Sequence, residues 1–360
     1  MMTGEPLQST LFYFCRLGDM VMATPLLALL HRRYHQPVTV IGAGEWNGPV
    51  YQGNPDVAAA WYFRRHVPFV LSRDWPQVRR FLRQSDPGPI YICERHYRQL
   101  PRIRRVLSFS GVNPARCVFI TDDAPAPQEH LVDRLLRLGS RTPPAVNAAD
   151  YPMPRDVCGP RLFVEEADRV ELDTYLRARG WAHRRIIIVQ PGNHRSMSRR
   201  RGRWRRLNTD DKAWPIERWV ELARRLHAEP DEPLVALHGA PEEIPMLREI
   251  QAAAGPGSAV VAGRGLRQLF ALCESAGGMI SVDTGPAHVA AALSLPLVVM
   301  YGAEAQRYWL PRSPTGSPVV GVGGPPVSIR VDQISVDTVY EAWRQASRQF
   351  EQPVRRSLAQ

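Results

Sequence analysis

Five runs in the second half of the chain are apolar at nearly every position: IIIV at 186–189, PLVAL at 233–237, SAVV at 258–261, GMISV at 278–282 and PLVVM at 296–300. A strand with one wet face alternates polar and apolar residues. A strand that does not alternate is buried on both faces, as in a parallel sheet covered by helices. Between these runs lie segments with helical spacing: WPIERWVELARRLHA, IPMLREIQAAAG, LRQLFALCESAG and GPAHVAAALSL. Strand and helix therefore alternate from 184 to 302, which predicts a doubly wound α/β domain.

The first half opens the same way. STLFYFC (9–15) reads as a buried strand, RLGD as a tight turn, MVMATPLLALLHRRY (20–34) as a helix and PVTVIG (37–42) as a second strand. AAAWYF, VPFVLS, PIYICER and CVFI read as further strands or partial strands, with PQVRRFLRQ and PQEHLVDRLLRLG as helices between them. Residues 140–160 are proline-rich and lack periodicity, so they form a long connection. EEADRVELDTYLRARGW (165–181) reads as a helix, and the pattern restarts with RRIIIVQPG (184–192). The domain boundary is expected near 182. This gives an N-terminal domain 1–182, a second α/β domain 183–334, and a final helix and tail 335–360, with a cleft between the two domains.

Length and composition fit that division. With 360 residues, 44% hydrophobic and 22% charged, the chain is long enough for two soluble globular domains. The formal net charge of +11 points to an anionic partner: nucleic acid, anionic lipid headgroups, or a phosphorylated or carboxylated substrate. Cys15, Cys93, Cys117, Cys158 and Cys273 are odd in number and scattered, with no CxxC. This argues against a disulfide framework or a zinc site and for a reducing, cytoplasmic setting. No basic leader precedes the apolar N-terminal run, which Arg16 and Asp19 interrupt, and no segment reaches the roughly 20 apolar residues that span a bilayer. Any membrane contact is expected to be peripheral, on the cytoplasmic face of the inner membrane.

Three stretches carry chemistry. In ISVDTGPAHVAAALSL (280–295) a strand ends at Val282, Asp283, Thr284 and Gly285 turn the chain, and a helix begins at about Pro286. Free N–H groups and the dipole at a helix N-terminus attract an anion. Thr284 adds a hydroxyl, Gly285 permits close approach, and His288 can donate from the first turn. A plain capped strand–helix turn uses the same residues. In RLGDMVMATP (16–25) Gly18 and Asp19 sit where the first strand gives way to a helix. Asp19 is either a cap or a general base projecting into the cleft. DDKAWPIERW (210–219) holds Lys212, the single lysine among 46 basic residues. Codon bias accounts for one surviving lysine. A compact ammonium near a helix N-terminus is also suited to reach one phosphate oxygen. Trp214 and Trp219 read as packing residues.

Together, RLGDxxxxTPxLxxL, KxWPxERWxEL and SVDTGPAHxAAAL resemble the ADP-heptose:lipopolysaccharide heptosyltransferases, glycosyltransferase family 9, in order and over most of the chain. The resemblance implies a GT-B fold, two Rossmann-like domains facing a central cleft, with the donor held mainly by the C-terminal domain and the final helix packing back across the junction. It implies an inverting, metal-independent transferase with no cofactor, moving a heptose from ADP-heptose to a lipopolysaccharide core or similar anionic glycan. Asp19 matches the base that deprotonates the acceptor hydroxyl, and Lys212 the lysine on the donor diphosphate. Asp283, Thr284, Gly285, Pro286 and His288 match the nucleotide and phosphate turn. Glu242 or Glu243, in HGAPEE, match an acidic residue on the ribose. Arg16 and Gly18 fall on the acceptor side.

Two departures from the family pattern stand out. RSMSRRRGRWRRLN (195–208) inserts seven arginines and a tryptophan before the lysine. It is either a solvated basic loop or a grip on an anionic acceptor through Arg199, Arg200, Arg201 and Arg203. Relatives often carry Thr or Asn soon after the YG of YGAEAQRYWLP (301–311), where this chain has Ala303 and Glu304. A different nucleotide sugar, or an acceptor other than lipopolysaccharide, therefore stays open. A basic nucleic-acid-binding protein is the alternative from another class, but no helix-turn-helix, RNP or zinc-finger pattern supports it, and no nucleic acid is expected. A catalytically dead nucleotide-sugar binder would not need both Asp19 and Lys212. An epimerase would need more acid–base residues than these.

Overall fold

The structure, a computed structural model, describes residues 4–44, 46–64, 67–84, 88–156, 159–193 and 210–357, with side chains described as far as 348. The chain divides into two compact units, Met1–Phe163 and Val164–Gln360.

The first unit runs β1 (Thr10–Tyr13), α1 (Leu17–Met22), α2 (Thr24–Tyr34), β2 (Val38–Ala43), α3 (Asn47–Tyr51), β3 (Val57–Phe63), α4 (Trp75–Gln84), β4 (Ile90–Ile92), α5 (Leu100–Phe109), β5 (Cys117–Phe119) and α6 (Leu131–Ser140). Its strands pair in parallel in the order β3-β2-β1-β4-β5. The chain thus works outward from β1 on one side and then returns to the other. The two halves part between β1 and β4, and the loops beyond those carboxyl ends are where such a sheet receives ligands.

The second unit runs α7 (Glu166–Arg177), β6 (Ile186–Gln190), α8 (Ile216–His227), β7 (Leu234–Gly239), α9 (Ile244–Ala254), β8 (Ser258–Ala262), α10 (Leu266–Ser275), β9 (Gly278–Val282), α11 (Gly285–Ala292), β10 (Leu297–Tyr301), α12 (Gln306–Trp309), β11 (Val319–Gly323) and α13 (Val336–Ser357). The sheet order is β11-β10-β9-β6-β7-β8, again parallel throughout. This is the Rossmann order, and its switch point lies between β6 and β9. β6, β9 and β10 are buried at every residue, which is why their sequences do not alternate.

Several expectations change in the structure. RLGD is not a free turn: Leu17, Gly18 and Asp19 already belong to α1, because the Asp19 carboxylate reaches back to the Arg16 N–H and closes the helix start. Ala23 separates α1 from α2, so the single expected helix is two. VPFVLS holds a 3₁₀ turn over Phe69–Leu71 rather than a strand, with Pro68 offering a carbonyl to Leu71 but no N–H to a ladder. The two units divide at 163/164, ahead of the expected 182, since α7 packs on α10. There Arg169 Nε meets Glu274 Oε2 at 2.7 Å and Arg267 pairs with Asp168.

Helix α13 packs on α8, β10 and β11 of its own unit. Trp343 is fully buried there, and its indole N–H donates to Glu229 Oε1 at 2.9 Å. Gly278 makes room for it, since a Cβ at that position would lie 2.3 Å from the ring. Trp214 and Trp219 are buried packing residues in edge-to-face contact at 4.8 Å, and Trp214 Nε1 donates to the Ile334 carbonyl.

Candidate functional site

In the second unit the loops after β6, β9 and β10 meet around Lys212. Its Nζ donates to Asp283 Oδ2 at 2.6 Å and lies 3.4 Å from the Asp283 carbonyl oxygen. The two side chains are 13% and 11% exposed, so the pair is desolvated without being sealed. An ammonium has three donors. With two turned to Asp283, the third remains for a further acceptor.

The turn that carries Lys212 is pinned on both flanks. Asp210 Oδ1 accepts the Lys212 N–H at 3.1 Å, and its Oδ2 accepts from Asn193 Nδ2 at 2.9 Å. Asp211 Oδ2 accepts the Ala303 N–H at 2.9 Å, and the Asp211 carbonyl accepts the Val331 N–H at 2.7 Å. Gly302 is needed here: a Cβ on it would lie 2.4 Å from the Asp211 carbonyl oxygen. The flexible lysine stem therefore starts from a fixed backbone. Asp210, Asp211, Asn193 and Gly302 were not singled out from the sequence; the paired aspartates just before the lone lysine were the available signal.

Across from Lys212, Thr284 is the N-cap of α11 in extended conformation, and its side chain makes no capping bond. Gly285 begins the helix and Pro286 follows in the first turn, where its missing N–H costs nothing. An N–H at the first helical position has no carbonyl one turn earlier to bond, so the Gly285 amide faces the open end of α11, next to Thr284. Cation, hydroxyl, amide and helix dipole thus converge at the carboxyl edge of β9. That arrangement is chemically suited to a phosphate. His288 lies in the same turn and is buried, 6% exposed.

Glu242 and Glu243 follow β7. Glu242 is exposed, while Glu243 is 4% exposed and accepts the Ala240 N–H through Oε2 at 2.8 Å. Gly192 and Gly239 leave space for that carboxylate, since a Cβ on them would approach its oxygens to 1.8 and 2.7 Å. Beside it His238 Nδ1 donates to Gln190 Oε1 at 2.5 Å, and burial pulls the imidazole down to about 4, so it is neutral near pH 7.

In the first unit Asp19 occupies the third position of α1, at the carboxyl edge of β1, where Oδ2 accepts the Arg16 N–H at 3.3 Å. Arg16 is exposed and Gly18 buried. Tyr13 ends β1 with its hydroxyl buried. Burial first, and then the negative charge of Asp19, raise that phenol well above its usual range. Tyr51 donates to the Met20 carbonyl at 3.3 Å and is raised too, by burial foremost and then by Cys15, Cys93 and Asp19. Across the switch point, Glu94 follows β4. It is 5% exposed, accepts the N–H groups of Arg95 and His96 on one oxygen at 2.9 and 2.7 Å, and is pushed up by burial. Tyr13, Tyr51 and Glu94 were not singled out from the sequence; Tyr13 lies in an apolar run that reads as core. Arg199, Arg200, Arg201 and Arg203, the expected acceptor grip, lie outside the described residues. Among the described residues, no group of three or more His, Cys, Asp or Glu is placed to hold a metal ion, and no helix is long and apolar enough to cross a membrane.

Comparison with known proteins points one way. Residues 119–319, more than half the chain, match the family model of glycosyltransferase family 9 (heptosyltransferase). Lipopolysaccharide heptosyltransferase 3 of Escherichia coli is 31% identical over 104 residues, 28% of this chain and 31% of that protein, so the chain spans about a third of the length of this curated relative. Among solved structures, E. coli ADP-heptose lps heptosyltransferase II superposes with a TM-score of 0.71 at 21% identity, covering 96% of this chain and all of that one. A glycosyl transferase of family 9 from Veillonella parvula gives 0.73 at 14% identity, covering 97% and 99%. E. coli heptosyltransferase WaaC with ADP gives 0.64 at 16%, covering 94% and 100%. The two parallel-sheet units are those of the GT-B fold.

Proposed function

From the premise that this chain belongs to glycosyltransferase family 9, the heptosyltransferases, we propose that it transfers a heptose from ADP-heptose to a lipopolysaccharide core or similar anionic glycan, with inversion and without a metal. The observation that carries this reading is the Lys212–Asp283 pair set at the open end of α11. In this reading the second unit is the donor side and the first the acceptor side. The third Lys212 donor, the Thr284 hydroxyl and the Gly285 amide receive the donor diphosphate, the adenosine diphosphate found with the solved WaaC relative. Glu242 is the accessible carboxylate for the ribose hydroxyls, while Glu243 positions the loop by bonding Ala240.

Asp19 takes the proton of the acceptor hydroxyl. The acceptor oxygen then forms a bond to the anomeric carbon as the bond to the diphosphate oxygen breaks on the opposite face. Negative charge grows on the leaving diphosphate, where Lys212 and the α11 amide are already oriented, so little reorganisation is needed. His288, buried in the first turn of α11, belongs to the same phosphate turn. Arg16 and the arginines at 199–203 meet the acceptor's anionic groups.

A thermal-shift titration with ADP, UDP, GDP and CDP, followed by turnover with a donor panel, tests the proposal. A ligand that binds only the folded state adds about 2.7 kcal/mol at 100 times its Kd. Stabilisation by ADP, weakened by Lys212→Ala, together with heptose transfer from ADP-heptose, is the expected result. Preference for another nucleotide moves the donor, and indifference to all four rejects the reading.

A further inference from the structure

The positive charge of the chain is densest in two stretches, the arginines of 195–208 and residues 64–110. Residues 64–110 carry eleven arginines against Asp74, Asp86 and Glu94, a surplus of eight out of the net +11. Four of the exposed large apolar side chains among the described residues fall in the same stretch: Val70, Leu71, Tyr97 and Phe109. Three of them share one face of the first unit. Val70 and Leu71, 48% and 73% exposed, sit on the 3₁₀ turn around Phe69, and Phe109, 61% exposed, ends α5. Phe69 turns inward and ties the two segments together, its ring 5.8 Å from that of Phe109 and 4.8 Å from that of Trp75. Arg102 holds the approach to the turn, donating to the carbonyls of Arg64 and Val67 at 2.8 and 2.7 Å.

The rim of this apolar tip is cationic. Arg64 and Arg73 flank the turn in sequence, and Arg105 lies one helical turn before Phe109 on α5; all three are exposed. The described carboxylates of the stretch do not offset them: Glu94 is buried, and Asp74 faces inward to accept the Tyr62 N–H at 3.2 Å. Protruding aliphatic side chains accompanied by exposed arginines match a bilayer interface, where apolar tips enter the acyl boundary and guanidinium groups meet lipid phosphates. They match nucleic acid poorly, since Val and Leu neither stack on bases nor bond to them.

We propose that this face of the first unit, Val70, Leu71 and Phe109 with the exposed Arg64, Arg73 and Arg105, docks on the surface of an anionic phospholipid bilayer. The docking needs neither donor nor acceptor, so it stands apart from the proposed transfer. The test is sedimentation of the full chain with vesicles free of any glycolipid, either phosphatidylcholine alone or an equal mixture with phosphatidylglycerol. Binding is expected only to the mixed vesicles, and loss of it at 1 M salt, where the Debye length is about 3 Å. The paired variants Leu71→Asp with Phe109→Asp, and Arg73→Glu with Arg105→Glu, should each lower the partition coefficient at least tenfold. Both should retain the wild-type response to ADP, and the arginine pair the wild-type melting temperature as well, while the first pair gives up only the ring contact of Phe109 with Phe69. Equal binding to neutral vesicles overturns the proposal, as does unchanged binding by both variants, or binding of duplex DNA without binding of vesicles. Loss of the ADP response alone would count against the proposed transfer and leave the docking intact.

Discussion

Replacing Lys212 by alanine removes the partner of an aspartate that is only 11% exposed. Breaking a buried ion pair typically costs about 3–5 kcal/mol because the remaining charge is stranded. Here both side chains keep some contact with water, so a value below that range applies, about 2–3 kcal/mol. For a unit of this size each kcal/mol moves the midpoint by about 2–4 °C, so calorimetry should find a loss of roughly 4–12 °C in the unit that contains β6–β11. Asp283→Asn should cost less, because a lysine stem can carry its ammonium out to solvent. The double variant then leaves no stranded charge. Its loss should fall short of the sum of the two single losses by at least about 1 kcal/mol, a coupling of the size found between residues in contact. Additivity to within about 0.5 kcal/mol would falsify the pairing and with it the idea of an oriented cation. Turnover separates the structural role from the chemical one. Lys212→Ala should lose about 10²–10³ in kcat, the usual cost of removing one preorganised donor. Lys212→Arg should recover most of the stability but little of the rate, since a planar fork does not present one N–H in the same place.

Three further outcomes are expected. Asp19→Asn should lower kcat by about 10²–10⁴ while leaving the melting point within about 1 °C, because the amide oxygen can still accept the Arg16 N–H; unchanged turnover would remove Asp19 as the base. Gly192→Ala should destabilise by about 1–3 kcal/mol, since its Cβ would meet Glu243 Oε1 at 1.8 Å and the carboxylate must leave the Ala240 N–H, with the melting point as the check. His238 is held near 4 when folded, against about 6.5 unfolded, so the unfolded chain binds the extra proton between those values. Stability should therefore fall as pH drops from 6.5 to 4, and His238→Gln should flatten that part of the pH–melting profile.

Much of the architecture was legible without coordinates. Unbroken apolar runs such as IIIV and LVVM could only be strands covered on both faces, and the helical spacing between them left a parallel doubly wound sheet as the outcome. The turn at Asp283–Gly285 and the single lysine were equally local signals. What the sequence could not yield is anything set by residues far apart in the chain. Lys212 and Asp283 are 71 positions apart, and only the sheet order, with β6 beside β9, brings their loops together. Glu243 looked like a free ligand for a ribose, yet Gly192 and Gly239 let it sink against the backbone and serve the Ala240 N–H instead. Helix α7 read as the end of the first domain because it precedes a new strand, but the pairs Arg169–Glu274 and Arg267–Asp168 attach it to the second. Periodicity and turn chemistry are written within a few residues, so the sequence alone determined most of the strands and helices and the turn at the end of β9. Which carboxylate meets which cation, and which is buried, depends on packing across strands that are neighbours in space only, and that the tertiary structure decided.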